Sequence, residues 1–263
     1  MKGIAVARKS NKKVVRVDSA PRAEGASSAD AEETGDPTWK PTAESKRKAT
    51  TFRIIAAVLW LLAIGGEAFA IFWVLKQTPV NMVLLIGLLV GIGALAVGGS
   101  LLWKKANRFD PASKADGFRF FVQNQLGAII TVIAFLPLIV MIFLNKDMDG
   151  KQKALAGGIG IVVVLVAGYF GADFDPPSTE QYSEETQLVV DLTGEDLVYW
   201  TLSGEVFHLC SDASAVNLES EDNQIYSGTV ADAHANGKDR LTLQVEQEIE
   251  QCGLEPLSTE TEE

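Results

Sequence analysis

The sequence predicts an all-α membrane protein: a four-transmembrane-helix bundle followed by a small soluble α+β domain. Three observations predict it. Four apolar stretches lie at Ile54–Leu75, Val80–Trp103, Leu126–Leu144 and Ala154–Phe170, separated by short charged loops. From Gly171 onward the chain carries 22 Asp and Glu against only Lys238 and Arg240, a formal charge of −20, whereas the whole chain is −11 and the first 170 residues are therefore +9. The acidic tail also regains aromatic and β-branched patterning after a polar stretch, as a small folded unit would.

A helix rises about 1.5 Å per residue and the hydrocarbon core is about 30 Å thick, so roughly 20 apolar residues cross it. All four stretches approach that length without a polar face, which excludes surface helices of a soluble protein. Residues 1–51 hold no apolar segment of signal-peptide type and read as an unstructured tail, so the first span is expected to act as its own uncleaved insertion signal. This tail runs from a basic arm (Arg8, Lys9, Lys12, Lys13, Arg16) through an acidic patch (Asp30, Glu32, Glu33, Asp36) to Lys46, Arg47 and Lys48. Its charge is too sparse and mixed for nucleic-acid binding.

Lys and Arg near span ends are retained on the cytoplasmic side. One side holds Lys46, Arg47, Lys48, Arg53, Lys104, Lys105, Arg108, Lys114 and Arg119, and the other Lys76, Lys146, Lys151 and Lys153. That asymmetry places both termini in the cytoplasm of a multi-pass plasma-membrane protein. Trp73 and Trp103 fall at span ends, where interfacial aromatics are favoured.

Inside the bundle, Gly87 and Gly91 form a GxxxG pair in the second span, and Ala156 and Gly160 repeat the spacing in the fourth. Small residues at that interval let helices approach closely, within one chain or between copies in a homo-oligomer. Pro137 predicts a kink in the third span. Glu67 is the one charged side chain in a span interior, roughly 20 Å along the first helix, which makes it the intramembrane candidate for proton or ion coupling. The polar residues Gln123, Asn124 and Gln125 lie at another depth, and a backbone hydrogen bond to a neutral carboxyl is the structural alternative.

Residues 173–190 read as an acidic linker, 191–254 as the α+β domain, and 255–263 as a polar tail, with 52–172 forming the membrane domain. Within the domain, LVYWTLSGEVFHLC (Leu197–Cys210) predicts a β-hairpin around Ser203-Gly204. Thr229 and Asp232 form a capping-box start for a short helix, VADAHA, which Gly237 stops. Leu241, Val245, Ile249 and Cys252 have helical spacing, although LTLQV also fits a strand. So small a domain has a thin core and benefits from a staple.

His208, Cys210, His234 and Cys252 are the candidate metal ligands. Two thiolates and two imidazoles satisfy tetrahedral zinc, although the spacing lacks a CxxC knuckle. A Cys210–Cys252 disulfide in an oxidising compartment, or two reduced cysteines and two incidental histidines with no cofactor, are the alternatives. The segments YWTLSGEVFH, SDASAV and IYSGTVADAHANGKDRL, followed by Cys252, resemble small β-hairpin metal-binding modules with a Gly-x-x-Tyr-His start, some of them appended to actinobacterial multi-span membrane proteins of unknown function. Gly204 and His208 match that start, Phe207 stands for its Tyr, Ala213 takes the place of its cysteine, and the late Cys pair is missing near Thr242 and Val245. The resemblance implies a hairpin-plus-helix fold, with metal binding only if Cys210 and Cys252 have taken over the ligand role.

No hydrolase or phosphate-loop motif occurs. The expected function is therefore non-enzymatic: a membrane scaffold or regulatory subunit whose acidic domain binds another membrane or cytosolic protein. The alternatives are a small transporter or channel component using Glu67, and a metal or redox sensor.

Overall fold

Apolar side chains without a polar counter-face select long helices, and the computed structural model contains four: α1 (Ala43–Phe72), α2 (Met82–Phe109), α3 (Gly117–Leu144) and α4 (Gly150–Gly171). The structure describes residues 12–17, 39–218 and 222–256. All four helices are long and apolar enough to cross a membrane. They overrun the apolar stretches because helical hydrogen bonding continues through the polar flanks. Alpha-carbon contacts divide the chain into two compact units: residues 48–107 with 115–176, and residues 1–47 with 108–114 and 177–263.

The helical unit packs Leu85, Leu89, Ile92 and Ala96 of α2 with Ala134, Phe135, Leu138 and Ile142 of α3 and Ala156 and Ala167 of α4. The polar ends of its helices are capped by side chains. Asp116 accepts from Arg119 N–H at the start of α3, and Asp149 with Gln152 forms a capping box at the start of α4. Asn145 donates to Leu75 O at 2.7 Å, tying the end of α3 to the turn after α1, and Gln125 donates to Asp173 O at 2.8 Å beyond α4.

Small residues mediate close approach, but at different positions from those the GxxxG spacing singles out. A Cβ on Gly127 would lie 2.7 Å from Gly171 O, and one on Gly157 would lie 2.4 Å from the Phe143 ring. Ala156 is fully buried, and a Cβ on Gly160 would press on Ile139 at 3.1 Å. Gly87 and Gly91 have nothing within 4 Å of a Cβ and sit on the exposed face of α2. As an intrachain packing pair, Gly87 and Gly91 are therefore corrected: the i to i+4 spacing fixes one helix face, and among the described residues nothing packs against Gly87 or Gly91 on that face.

The second unit is mixed. It comprises β1 (Lys13–Arg16), α5 (Thr179–Thr193), β2 (Val198–Trp200), β3 (Val206–Phe207), β4 (Gln224–Gly228), α6 (Val230–Ala235), β5 (Arg240–Leu241) and α7 (Val245–Cys252). One sheet has the order β1-β4-β2, with β1 parallel and β2 antiparallel to β4; the other pairs β3 with β5 in parallel. The expected hairpin survives as an antiparallel bridge between Tyr199 and His208, while β3 itself turns to β5. The core is Val189, Leu192, Val198, Trp200, Phe207, Leu209, Val230, Ala233 and Leu241. Helix α6 forms with the reciprocal Thr229–Asp232 capping box, and Gly237 follows it with φ +81°.

Two expectations of unstructured chain are corrected. Within residues 1–51, Lys13–Arg16 is a strand and α1 starts at Ala43, because sheet pairing and helix continuation recruit polar residues that lack local apolar periodicity. Within residues 173–190, α5 starts at Thr179, capped by Ser178 and buried through Tyr182, Val189 and Leu192. The arm residues Arg8 and Lys9, the acidic patch Asp30, Glu32, Glu33 and Asp36, and most of the expected 255–263 tail lie outside the described residues.

This unit also collects three stretches separated by pairs of spans. Ser45 Oγ donates to Phe109 O, Tyr182 Oη donates to Arg108 O at 3.0 Å, and Trp39 N–H donates to Ser183 Oγ at 2.9 Å. Trp39 and the first turn of α1, the last turn of α2, and the start of α5 thus meet within this unit.

Candidate functional site

Helix α6 carries His234 in its last turn, and the ring is fully buried in an aromatic box. It stacks on Tyr182 with centroids 3.4 Å apart and planes 10° apart, and meets the edges of Phe207 at 5.3 Å and Trp39 at 6.3 Å. Nδ1 lies 2.8 Å from Lys238 O, and Nε2 lies 3.0 Å from Glu185 Oε2. A carbonyl only accepts, so Nδ1 donates to it. The Nε2 contact is then complete when one proton sits between imidazole and carboxyl. Burial, and after it the charge of Glu185, push the neighbouring Tyr182 hydroxyl well above its usual range, so it remains a donor to Arg108 O.

His208 lies just after β3. Its Nδ1 meets Glu248 Oε1 at 2.6 Å, and Leu209 N–H donates to Glu248 Oε2 at 3.0 Å, so both oxygens of a carboxyl only 3% exposed are engaged. Glu248 and Cys252 stand one turn apart on α7, and Cys252 forms a disulfide with Cys210, two residues beyond His208. The bond spans 42 residues. Ser214 N–H donates to Gln251 Oε1 at 2.9 Å beside it. Helix α7 is thus fastened to the segment after β3 by a covalent bond, a carboxyl and an amide.

Lys238 completes the unit. Its buried ammonium donates to Thr201 O at 2.8 Å, Leu202 O at 3.1 Å and Gly204 O at 2.5 Å, using its three donors on the turn between β2 and β3. Burial lowers its pKa from the usual lysine range.

The structure does not bring the four candidate zinc ligands together. Cys210 and Cys252 are joined to each other, and a disulfide sulfur is not a thiolate ligand. His208 and His234 go to different carboxyls, Glu248 and Glu185. Among the described residues, no group of three His, Cys, Asp or Glu side chains is arranged to hold a metal ion. Sequence reasoning missed both carboxyl partners. Glu248 was signalled by its i, i+4 spacing to Cys252, but Glu185 was hidden in a stretch that reads as linker.

In the helical unit, Glu67 is buried and accepts the Leu138 N–H at 3.2 Å. Leu138 follows Pro137, which lacks an N–H and disturbs the preceding helical turn. A carboxyl from α1 therefore satisfies backbone at the proline of α3, as apolar surroundings require of any disturbed helix. The side chains of Asn124 and Gln125 are engaged elsewhere, donating to Phe120 O at 2.9 Å and to Asp173 O at 2.8 Å.

Comparison with family models, with curated proteins and with solved structures returned no match to the chain.

Proposed function

We propose that the protein is a plasma-membrane scaffold or regulatory subunit, with both termini in the cytoplasm, whose acidic C-terminal unit binds another protein. One observation carries this reading: each of His208, His234, Cys210 and Cys252 is engaged in holding the unit together. Groups that would serve as nucleophile, base or ligand are occupied structurally, and what the unit offers outward is an acidic surface with exposed apolar points such as Leu243 and Leu202. The Lys and Arg bias around the spans supports the orientation. The exposed Gly87 and Gly91 support self-association of the bundle through α2.

The test is a photo-crosslinking residue at Leu243, which is 83% exposed, in the native membrane. The reading expects one adduct of defined mass that is lost in Cys252→Ser, where α7 is unfastened. Adducts only with lipid or with the chain itself contradict it.

A second reading, a redox-responsive module, is favoured by the Cys210–Cys252 bond. Disulfides in reducing compartments are transient devices more than permanent staples, and this one controls α7 and with it the Glu248 contact to His208. Mass-tagging of thiols in cells before and after oxidant challenge separates the two, since a pair whose state never changes excludes the responsive role. A transport role through Glu67 is less favoured, because that carboxyl is committed to backbone at Pro137.

A further inference from the structure

The sheet of the acidic unit is completed by a strand from the far end of the chain. Beta-strand β1 runs parallel to β4 in the register Lys13 with Gln224, Val14 with Ile225, Val15 with Tyr226 and Arg16 with Ser227. Without β1, β4 would be an edge strand presenting unpaired N–H and C=O groups, the usual template for an added strand. The edge has features that select its occupant. Lys12 Nζ donates to Val216 O at 3.1 Å and to Leu218 O, so two carbonyls form a seat for an ammonium. Val17 N–H donates to Ser227 O at 2.7 Å, and Val17 packs against the core. A Cβ on Gly228 would lie 2.9 Å from Val17 O, so glycine there is what lets the incoming backbone close in.

Lys13, Val14 and Arg16 are exposed, so β1 is held by its ladder, its lysine and its last valine more than by apolar burial. Twenty-one residues, 18–38, separate Val17 from Trp39, the next described position. The receiving region, from Gly171 onward, is −20 and the occupant, Lys12 to Val17, is +3, so charge favours any basic extended segment.

We propose that the β4 edge is a docking site for an extended, lysine- and arginine-bearing segment of a partner protein, with residues 12–17 as its built-in competitor. The proposal rests on the reading of the acidic unit as a protein-binding module and names both the recognition mode, strand addition, and the partner chemistry: a lysine five residues before a small apolar side chain, extended between them. The tethered strand acts at an effective concentration of about millimolar. A partner therefore engages only when its own segment is concentrated or the arm is drawn away.

The test uses the full chain in nanodiscs and a fluorescent peptide with the sequence of residues 10–19, followed by anisotropy. In Val15→Pro/Val17→Pro protein the arm can no longer pair, and the peptide is expected to bind at least tenfold more tightly than to the wild type. Lys12→Ala protein, which keeps the strand and loses the ammonium, is expected to show a smaller gain of a few fold. A scrambled peptide of the same charge should lose at least tenfold on the double variant. Failure of the peptide to bind either variant, or equal binding of the scrambled peptide, overturns the edge proposal. If the Leu243 adduct persists in that case, only the edge is wrong. If the adduct is absent as well, the protein-binding reading falls with it.

Discussion

In the helical unit the buried carboxyl of Glu67 meets a backbone N–H, whereas in the acidic unit the partly buried carboxyl of Glu185 and the buried one of Glu248 each meet an imidazole. The same side-chain type is used for two tasks. Among apolar helices the weak point is backbone loosened at Pro137, and one acceptor from a neighbouring helix repairs it. In the small unit the weak point is a thin core, and carboxyl–histidine pairs with a disulfide tie its short elements together. In both halves these three carboxyls hold structure together, one by engaging backbone and two by engaging an imidazole.

The largest expected effect breaks the acidic half alone. Cys252→Ser should destabilise that unit by about 2–5 kcal/mol, the usual loss when a native disulfide leaves a small domain, with the helical content of the bundle unchanged by circular dichroism. Equal melting of both halves would dissolve the contrast. Lys238→Met is expected to come next, at about 2–3 kcal/mol, because the part-buried carbonyls of Thr201, Leu202 and Gly204 lose their shared charged donor; hydrogen exchange at the β2–β3 turn should rise in step. Glu67→Leu attacks the other half. It removes the carboxyl that accepts from Leu138 N–H and should cost about 1–3 kcal/mol in nanodiscs, while Glu67→Gln, which keeps an acceptor oxygen, should cost less. Equal effects of the two would remove the backbone-repair role.

The smallest effect sharpens the electrostatics of the acidic half. Burial, and after it the charge of Asp232, hold the Asp196 carboxyl above its usual range, against the Val230 N–H that lowers it. A carboxyl raised in the folded state keeps protons that the unfolded chain has already released. Its contribution to stability is therefore present below the unfolded value of about 4 and lost as pH rises through the folded one. Asp196→Asn retains an oxygen for Val230 N–H, should flatten that part of the pH profile, and should change neutral-pH stability by under about 0.5 kcal/mol. Denaturant unfolding at pH 4 and 7 checks both, and an unchanged slope contradicts the assignment.

Much of the bundle was legible because length and apolarity suffice to mark a crossing helix, and α6 was legible because its capping box and Gly237 sit in adjacent sequence. What was not legible depended on partners far along the chain. The four residues of β1 have no alternation of their own and become a strand only against Gln224–Gly228. Helix α5 buries Tyr182, Val189 and Leu192 but interleaves them with acids, so the segment reads as a solvated linker. The GxxxG spacing of Gly87 and Gly91 identifies a smooth face without saying whether another helix of the chain lies against it. The candidate ligands His208, Cys210, His234 and Cys252 were found, yet their partners include Glu248, marked only by its i, i+4 spacing to Cys252, and Glu185, which nothing local distinguishes from the surrounding acidic residues.

If the acidic unit is a cytoplasmic binding unit on a four-span anchor, Cys210 and Cys252, the chain's two cysteines, face the cytoplasm. Intact cells are treated with a membrane-impermeant reductant and then with an impermeant maleimide, before and after permeabilisation. Labelling is expected only after permeabilisation. Labelling of intact cells would contradict it and move the acidic unit, with its disulfide, to the outer face of the membrane.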